Sequence, residues 1–434
     1  MGGSAFSQVD PPILTPRMNQ PTYDSMLNKT IKIISRYYTY VGSPVEAPGK
    51  ETFGDIDILV STPFEVSLDV TKVSPQEVAE KLKVILGAKM YIFTKNDPVI
   101  NFAVPWPEDK HVINEINLEK RFVQVDIQTC ACPQDFLYSY FYNSHGDLWH
   151  ILNTIIKPFG LLVNNRGMYL RIIPFETGNR KRARVLATSD PTKILNFLGL
   201  DPDNWWEKFI SVGEMFRYAA SCRMFTLNKI IEDNHDDVVV VMPKPNSIPK
   251  YSPIYYNENE IVKKMNSHDL KRLTKRPNFA AWMFQFVPES RTQGLYFLPD
   301  PHLTLDQVKN EALELFHIRK EFEVRERELE LEKNVNDILM KGIKGSVPCK
   351  LDPVLRAAAI RVLRQVIEEG QNWVDGERPI ELQRDDKGLL DVDKVKRWVG
   401  ANWMEAGKLG LARQAELSRA NKIRVEEENK TNLV

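Results

Sequence analysis

The stretch Gly54-Asp55-Ile56-Asp57-Ile58-Leu59-Val60 alternates acid and aliphatic side chains with a period of two. That period predicts a β-strand with one dry face and one charged face. Ile56, Ile58 and Val60 enter a core, while Asp55 and Asp57 share the opposite face, roughly 6.6 Å apart along the backbone. Phe122-Val123-Gln124-Val125-Asp126-Ile127-Gln128 follows the same logic, with Val123, Val125 and Ile127 inward and Asp126 outward. If the two strands are neighbours, three carboxylates converge. At an effective dielectric of about 20, each pair of charges near 4 Å repels by about 4 kcal/mol. Such an arrangement calls for a neutralising cation. Hard oxygen donors suit Mg2+ or Mn2+, which keeps part of its water and adds substrate phosphates to its shell.

The order Val41-Gly42-Ser43, eleven intervening residues, Asp55-Ile56-Asp57-Ile58, and then Val125-Asp126-Ile127 about seventy residues later resembles the DNA polymerase beta-like nucleotidyltransferase superfamily. The likeness covers roughly residues 25 to 130. The whole chain further resembles an uncharacterised fungal branch of that superfamily, which supplies no substrate. The resemblance implies that Asp55 and Asp57 hold two metal ions together with the nucleotide phosphates. It implies that Asp126 binds the metal nearer the acceptor and helps deprotonate the attacking hydroxyl. Gly42 would let the backbone approach the triphosphate, and the Ser43 hydroxyl would bind its terminal phosphates. Two cations about 3.5–4 Å apart can stabilise both the entering and the leaving oxygen at phosphorus.

One departure concerns the helix that follows the Gly-Ser pair in familiar members. Here Pro48-Gly49 interrupts any helix, so the connection reads as a loop. Lys50 lies in that loop as a candidate phosphate contact, a solvated lysine being the alternative. Arg171, on a later hairpin, is a second candidate for the triphosphate, against a solvated strand arginine.

The 434 residues suffice for two or three domains with apolar cores. Formal net charge is zero, so no global basic field advertises a nucleic acid. Cys130, Cys132, Cys222 and Cys349 show neither zinc spacing nor a disulfide framework, which fits a reduced compartment. Met1 to Gln20 is polar and proline-bearing, without the apolar centre of a signal peptide, and no run approaches a membrane span. The expected location is intracellular, cytoplasmic or nuclear, not secreted.

The expected fold class is α+β: a small mixed β-sheet nucleotidyltransferase core with helices, then a mixed middle region and a helical C-terminal region. Residues 1–21 read as a flexible leader, 22–185 as the core, 186–300 as a middle α-rich domain and 301–434 as the helical region. Apolar spacing predicts a helix from Tyr23 to Tyr38. Ser74-Pro75-Gln76-Glu77 reads as the cap of a helix running to about Leu86. Met90 to Phe93 with Val99 to Val104, and Gly160 to Val163 with Met168 to Ile172, read as hairpins.

Ser144 to His150 offers either a two-histidine metal site or a helix start capped by Asp147. Two basic clusters stand out, Arg180 to Arg184 and then Lys263, Lys264, Lys271, Arg272, Lys275 and Arg276 ahead of aromatic Phe279 to Phe286. Basic patches beside aromatics can grip single-stranded nucleic acid; rings in a core under a wet charged surface are the alternative. Leu305 to about Lys341 reads as one long helix supported by Glu321/Arg325 and Glu323/Arg327 pairs. Leu351 to Glu369 reads as a second, and Asp391 to Ile423 as a third interrupted near Gly400 and Gly407.

The implied activity is metal-dependent transfer of a nucleoside monophosphate from an NTP to an acceptor hydroxyl, with pyrophosphate leaving. The acceptor is open among an RNA 3′ end, a protein side chain and a small molecule. The alternative is a catalytically inactive nucleotide-binding or scaffold protein that keeps the fold.

Overall fold

The computed structural model describes residues 3–94, 97–107, 121–227, 230–234, 237–241, 273, 276–296, 303–371, 373 and 379–431. It is an α+β protein that divides into two compact units, Met1–Arg171 with Leu186–Ile318, and Ile172–Val185 with Arg319–Val434. The cuts fall after 171, 185 and 318, where the sequence reading placed boundaries at 185 and 300. Residues 172–185 join the C-terminal helices through an Arg182–Glu332 ion pair of 2.6 Å and through Lys333, which lies 5.7 Å from the Phe175 ring centre.

The first unit is built on a five-stranded mixed sheet, β1 (Tyr38–Gly42), β2 (Asp55–Pro63), β3 (Met90–Phe93), β4 (Val99–Pro105) and β5 (Phe122–Thr129). Its spatial order is β1-β2-β5-β4-β3, with β2 and β5 parallel and the remaining pairs antiparallel. The first hairpin is the expected one, pairing Met90 with Ala103.

Two helices cover the dry face. α1 (Gln20–Ile34) starts where the Asn19 side chain accepts the Thr22 amide, with Pro21 in the first turn. α2 (Pro75–Leu86) carries a complete Ser74–Glu77 capping box and ends on left-handed Gly87, close to the expected bounds. Tyr23, Met26, Ile34, Val78, Leu82, Ile56, Ile58, Val60, Val125 and Ile127 form one buried cluster between helices and sheet. Each large side chain so buried contributes roughly 1.5–3 kcal/mol over exposure.

The other face divides in two. α3 (Pro133–Asn143) packs across β2 and against Gly42 of β1, and Ser139 accepts from the Gln128 amide at 3.1 Å. The remainder, where the acids emerge, is met by the leading segment. The flexible leader expected for residues 1–21 is corrected for residues 3–18. Phe6 is fully buried, Met18 exchanges backbone hydrogen bonds of 2.7 and 2.9 Å with Phe53, and the Phe122 amide donates to the Leu14 carbonyl at 2.9 Å. The physical reason is that a polar, proline-bearing segment still holds two apolar anchors, Phe6 and Met18, and spare backbone donors and acceptors for sheet ends.

Beyond the sheet, α4 (Leu148–Ile156) buries Leu148, Trp149, Ile151, Leu152, Ile155 and Ile156. The second hairpin, β6 (Leu161–Asn164) and β7 (Gly167–Arg171), pairs Asn164 with Gly167 as its turn sequence requires. Phe279 and Trp282 are core, with Phe216 5.5 Å from Trp282, so the rings side with the interior reading. Lys263, Lys264, Lys271, Arg272 and Lys275 lie outside the described residues. The long helix expected from Leu305 is two, Leu305–Leu315 and Arg319–Asp337, separated at left-handed His317. Its ion pairs run three residues forward, Arg325 to Glu328 and Arg327 to Glu330.

The second unit packs Arg319–Asp337, Pro353–Ile367 and Val392–Thr431 around Ile343, Val362, Leu363, Val395 and Trp398. The last helix runs unbroken through Gly400 and Gly407, correcting the expected interruption. A Cβ on Gly407 would lie 2.7 Å from Leu355 Cδ1, and one on Gly410 would lie 2.7 Å from the Ala358 carbonyl. Those glycines admit a neighbouring helix rather than break their own. No helix among the described residues is long and apolar enough to cross a membrane.

Candidate functional site

Register decides whether the three acids meet. On the parallel pair, Asp57 sits opposite Asp126 and Asp55 opposite Gln124, while β4 places Asn101 on the far side of Asp126. Paired residues of neighbouring strands share a face, so Asp55, Asp57 and Asp126 emerge together, with adjoining strands about 4.8 Å apart. The expected convergence onto one face is what the sheet provides.

The electrostatics follow from that crowding. Burial first, then the charges of Asp55, Asp126 and Glu46, pushes Asp57 up to about 7, with Lys50 opposing. Burial pushes Asp126 up to about 6 against hydrogen bonds from Asn101 and Gln124. Asp55 is raised by burial and relieved by Lys50. Like charges packed in this way hold protons more tightly than isolated carboxylates do.

A cavity of about 280 Å³ opens beside Asp55 and Asp57, lined also by Arg17, Lys50, Thr52, Phe53 and Gly54, with Asp126 outside its lining. Arg17 is fixed by Thr52, donating from Nε to its hydroxyl at 2.8 Å and from Nη2 to its carbonyl at 2.6 Å. Two cations and two carboxylates therefore share one mouth. A larger groove of about 610 Å³ runs along Pro353–Ile367 in the second unit, lined by Arg356, Arg361 and Arg364. Among the described residues that line it the one carboxylate is Glu369, whereas the smaller cavity brings two together.

The remaining expected residues fare unequally. The segment after Gly42 is a loop, as Pro48-Gly49 requires. Lys50 lines the cavity, but its ammonium is paired with Glu46 and lies 5.9 Å from the Phe53 ring centre. The Ser43 hydroxyl bonds the Tyr23 hydroxyl, which donates to Glu46 Oε1 at 3.0 Å. For Gly42 there is a packing cause: a Cβ would stand 2.9 Å from Tyr140 Cε2 and 3.3 Å from Phe136 Cζ. The structure does not bring Arg171 to the acid cavity. It is buried, donates to the Lys157 carbonyl at 2.7 Å, and is not among the residues lining the acid cavity.

His145 is not half of a metal site. It is fully buried, its Nε2 lies 2.6 Å from the Trp205 carbonyl, and burial holds it down at about 4. Asp147 stands at the start of α4 but makes no cap hydrogen bond; it pairs with Arg276 at 2.8 Å. All four cysteines are free.

Sequence reading missed Arg17, Glu46, Gln124 and Asn101. Period-two parity already placed Gln124 on the face of Asp126 and could have flagged it. Nothing local marks Arg17, whose position comes from the Met18–Phe53 bridge.

As a metal centre the site has suitable donors, since carboxylate oxygens on one face suit a hard cation. Among the described residues, however, no three His, Cys, Asp or Glu side chains already stand close enough to hold a metal ion. The Asp126 carboxylate is already engaged by neighbouring amides. Gln124 Nε2 donates to both its oxygens at 3.0 Å, and Asn101 adds a further hydrogen bond. Neither a protein-family model nor a curated protein matches this chain.

Proposed function

We propose that this protein is a metal-dependent nucleotidyltransferase, moving a nucleoside monophosphate from an NTP to an acceptor hydroxyl. The observation that carries the reading is the pairing of Asp57 with Asp126 on parallel strands, with Asp55 on the same face beside a cavity that also holds Arg17 and Lys50. Asp55, Asp57 and Asp126 would hold Mg2+ or Mn2+, which would supply charge neutralisation at the phosphoryl oxygens. Arg17 presents a planar fork suited to phosphate, and Lys50 a point charge that can exchange Glu46 for a phosphate oxygen. Asp126, on the strand next to the pair, would serve as the base for the acceptor hydroxyl, burial having raised its carboxyl to about 6. RNA is one acceptor class among three; a protein side chain and a small molecule are the others.

The test is transfer of label from α-labelled ATP, CTP, GTP and UTP, with Mg2+ and cell extract as acceptor source. Transfer that disappears in Asp55→Asn and Asp57→Asn supports the proposal. A second reading, a nucleotide-binding module without chemistry, is favoured by the hydrogen bonds that occupy Asp126. It predicts nucleotide binding but no transfer in any extract.

A further inference from the structure

We propose that residues 3–8 form an intramolecular strap that keeps Asp126 from a cation, with Gln124 as the contact through which it acts. This inference rests on the reading of the site as a cation and nucleotide centre. It starts from a continuous chain of hydrogen bonds. The Gly3 amide faces the Asp55 carboxylate and lowers its proton affinity. Two residues on, the Ala5 amide donates to Gln124 Oε1 at 3.0 Å, and Gln124 Nε2 donates to both Asp126 oxygens at 3.0 Å. One short segment therefore reaches two of the three acids, one directly and one through an amide side chain.

The segment is anchored, not draped. Phe6 is fully buried, and the Thr15 hydroxyl donates to the Gly3 carbonyl at 2.8 Å. Gly3 sits at φ +85°, where a Cβ would stand 2.4 Å from the Gly54 carbonyl oxygen. Only glycine fits so close to the residue preceding Asp55. Further along, the contacts of Leu14 with Phe122 and of Met18 with Phe53 tie the same segment to the entry ends of β5 and β2, the two strands that carry the acids.

The chemistry makes strap and cation competitors. A carboxylate offers about four lone-pair sites, and at Asp126 Gln124 and Asn101 occupy most of them, Gln124 lying across both oxygens. A cation entering there must turn the Gln124 amide away. That movement removes the acceptor of the Ala5 amide. Strap release and cation loading are thus linked, and each must favour the other by the same factor.

Tb3+ serves as a luminescent stand-in for the cation, with the full chain and the variants Phe6→Asp and Ala5→Pro. The first removes the anchor. The second deletes the Ala5 N–H at the first position of a 3₁₀ turn (Ala5–Gln8) and also disfavours the ψ of 3° at Ser4 before it, so both effects loosen the strap. Both should bind Tb3+ at least tenfold more tightly than the unaltered chain. Saturating Tb3+ should speed hydrogen exchange of residues 3–8 in the unaltered chain. Equal or weaker Tb3+ binding in folded variants overturns the strap; if circular dichroism shows Phe6→Asp misfolded, Ala5→Pro decides alone. Tightened binding with no nucleotidyl transfer in any form sinks the transfer reading and keeps the strap. Transfer at equal rates with and without the strap residues keeps the reading and sinks the strap.

Discussion

Replacing Asp57 with asparagine should stabilise the first unit at alkaline pH, because it removes a charge that folding crowds. The Asp57 carboxyl is pushed from its ordinary 3.8 to about 7 by burial and by Asp55, Asp126 and Glu46. A raised folded pKa means the folded state binds the proton more tightly. The associated stability is complete below about pH 3.8 and is lost as pH rises through about 7. Three pKa units convert to roughly 4 kcal/mol if nothing screens the charge. The Asp57 carboxylate is crowded by protein atoms, yet the side chain is exposed by area, and the exposed area governs screening. Discounting for that solvent leaves a gain of about 1–2 kcal/mol for the variant at pH 8. The two units need not unfold together, so the readout is hydrogen exchange of β2 and β5 peptides in urea, with EDTA, at pH 4 and pH 8. The gain should be present at pH 8, nearly absent at pH 4, and reduced by Mg2+, which can compensate the charge only where Asp57 is present. An asparagine variant that is less stable at pH 8, or equally stabilised at both pH values, would refute the crowding argument.

Three further outcomes are expected. Gly42→Ala drives a methyl group into the Tyr140 ring and should cost about 1–3 kcal/mol; the cost should shrink in the Tyr140→Ala background, measured as a double-mutant cycle. His145, held at about 4, is neutral in the fold, so stability should be full above about pH 6.5 and fall by up to about 3 kcal/mol as pH drops to 4; His145→Asn, which accepts the left-handed backbone at φ 63°, should flatten that slope in unfolding measured by Trp fluorescence. Gly407→Val should lower the melting temperature of the second unit, since its side chain meets Leu355, and leave hydrogen exchange in β2 and β5 unchanged.

The alternation in Asp55–Val60 and Phe122–Gln128 was legible because a pleat turns parity in the sequence into sidedness in space. The start of α2 was legible because a Ser-Pro-x-Glu cap satisfies its own amides locally. Harder were elements whose cause lies elsewhere in the chain. Gly407 looks like a breaker until Leu355 is laid beside it, and Arg171 looks solvated until the Lys157 carbonyl takes its guanidinium. His317 breaks a helix whose periodicity runs straight through it.

For the site, sequence alone determined which face each acid occupies, since that depends only on neighbours two residues away. It could not determine that β2 and β5 are adjacent, or that their register sets Asp57 against Asp126, because that pairing joins residues about seventy positions apart. Tertiary structure also decided that Gln124 holds Asp126 and that Ala5 holds Gln124. Side-chain hydrogen bonds of this kind follow from which backbone arrives alongside, and a linear pattern carries no record of it.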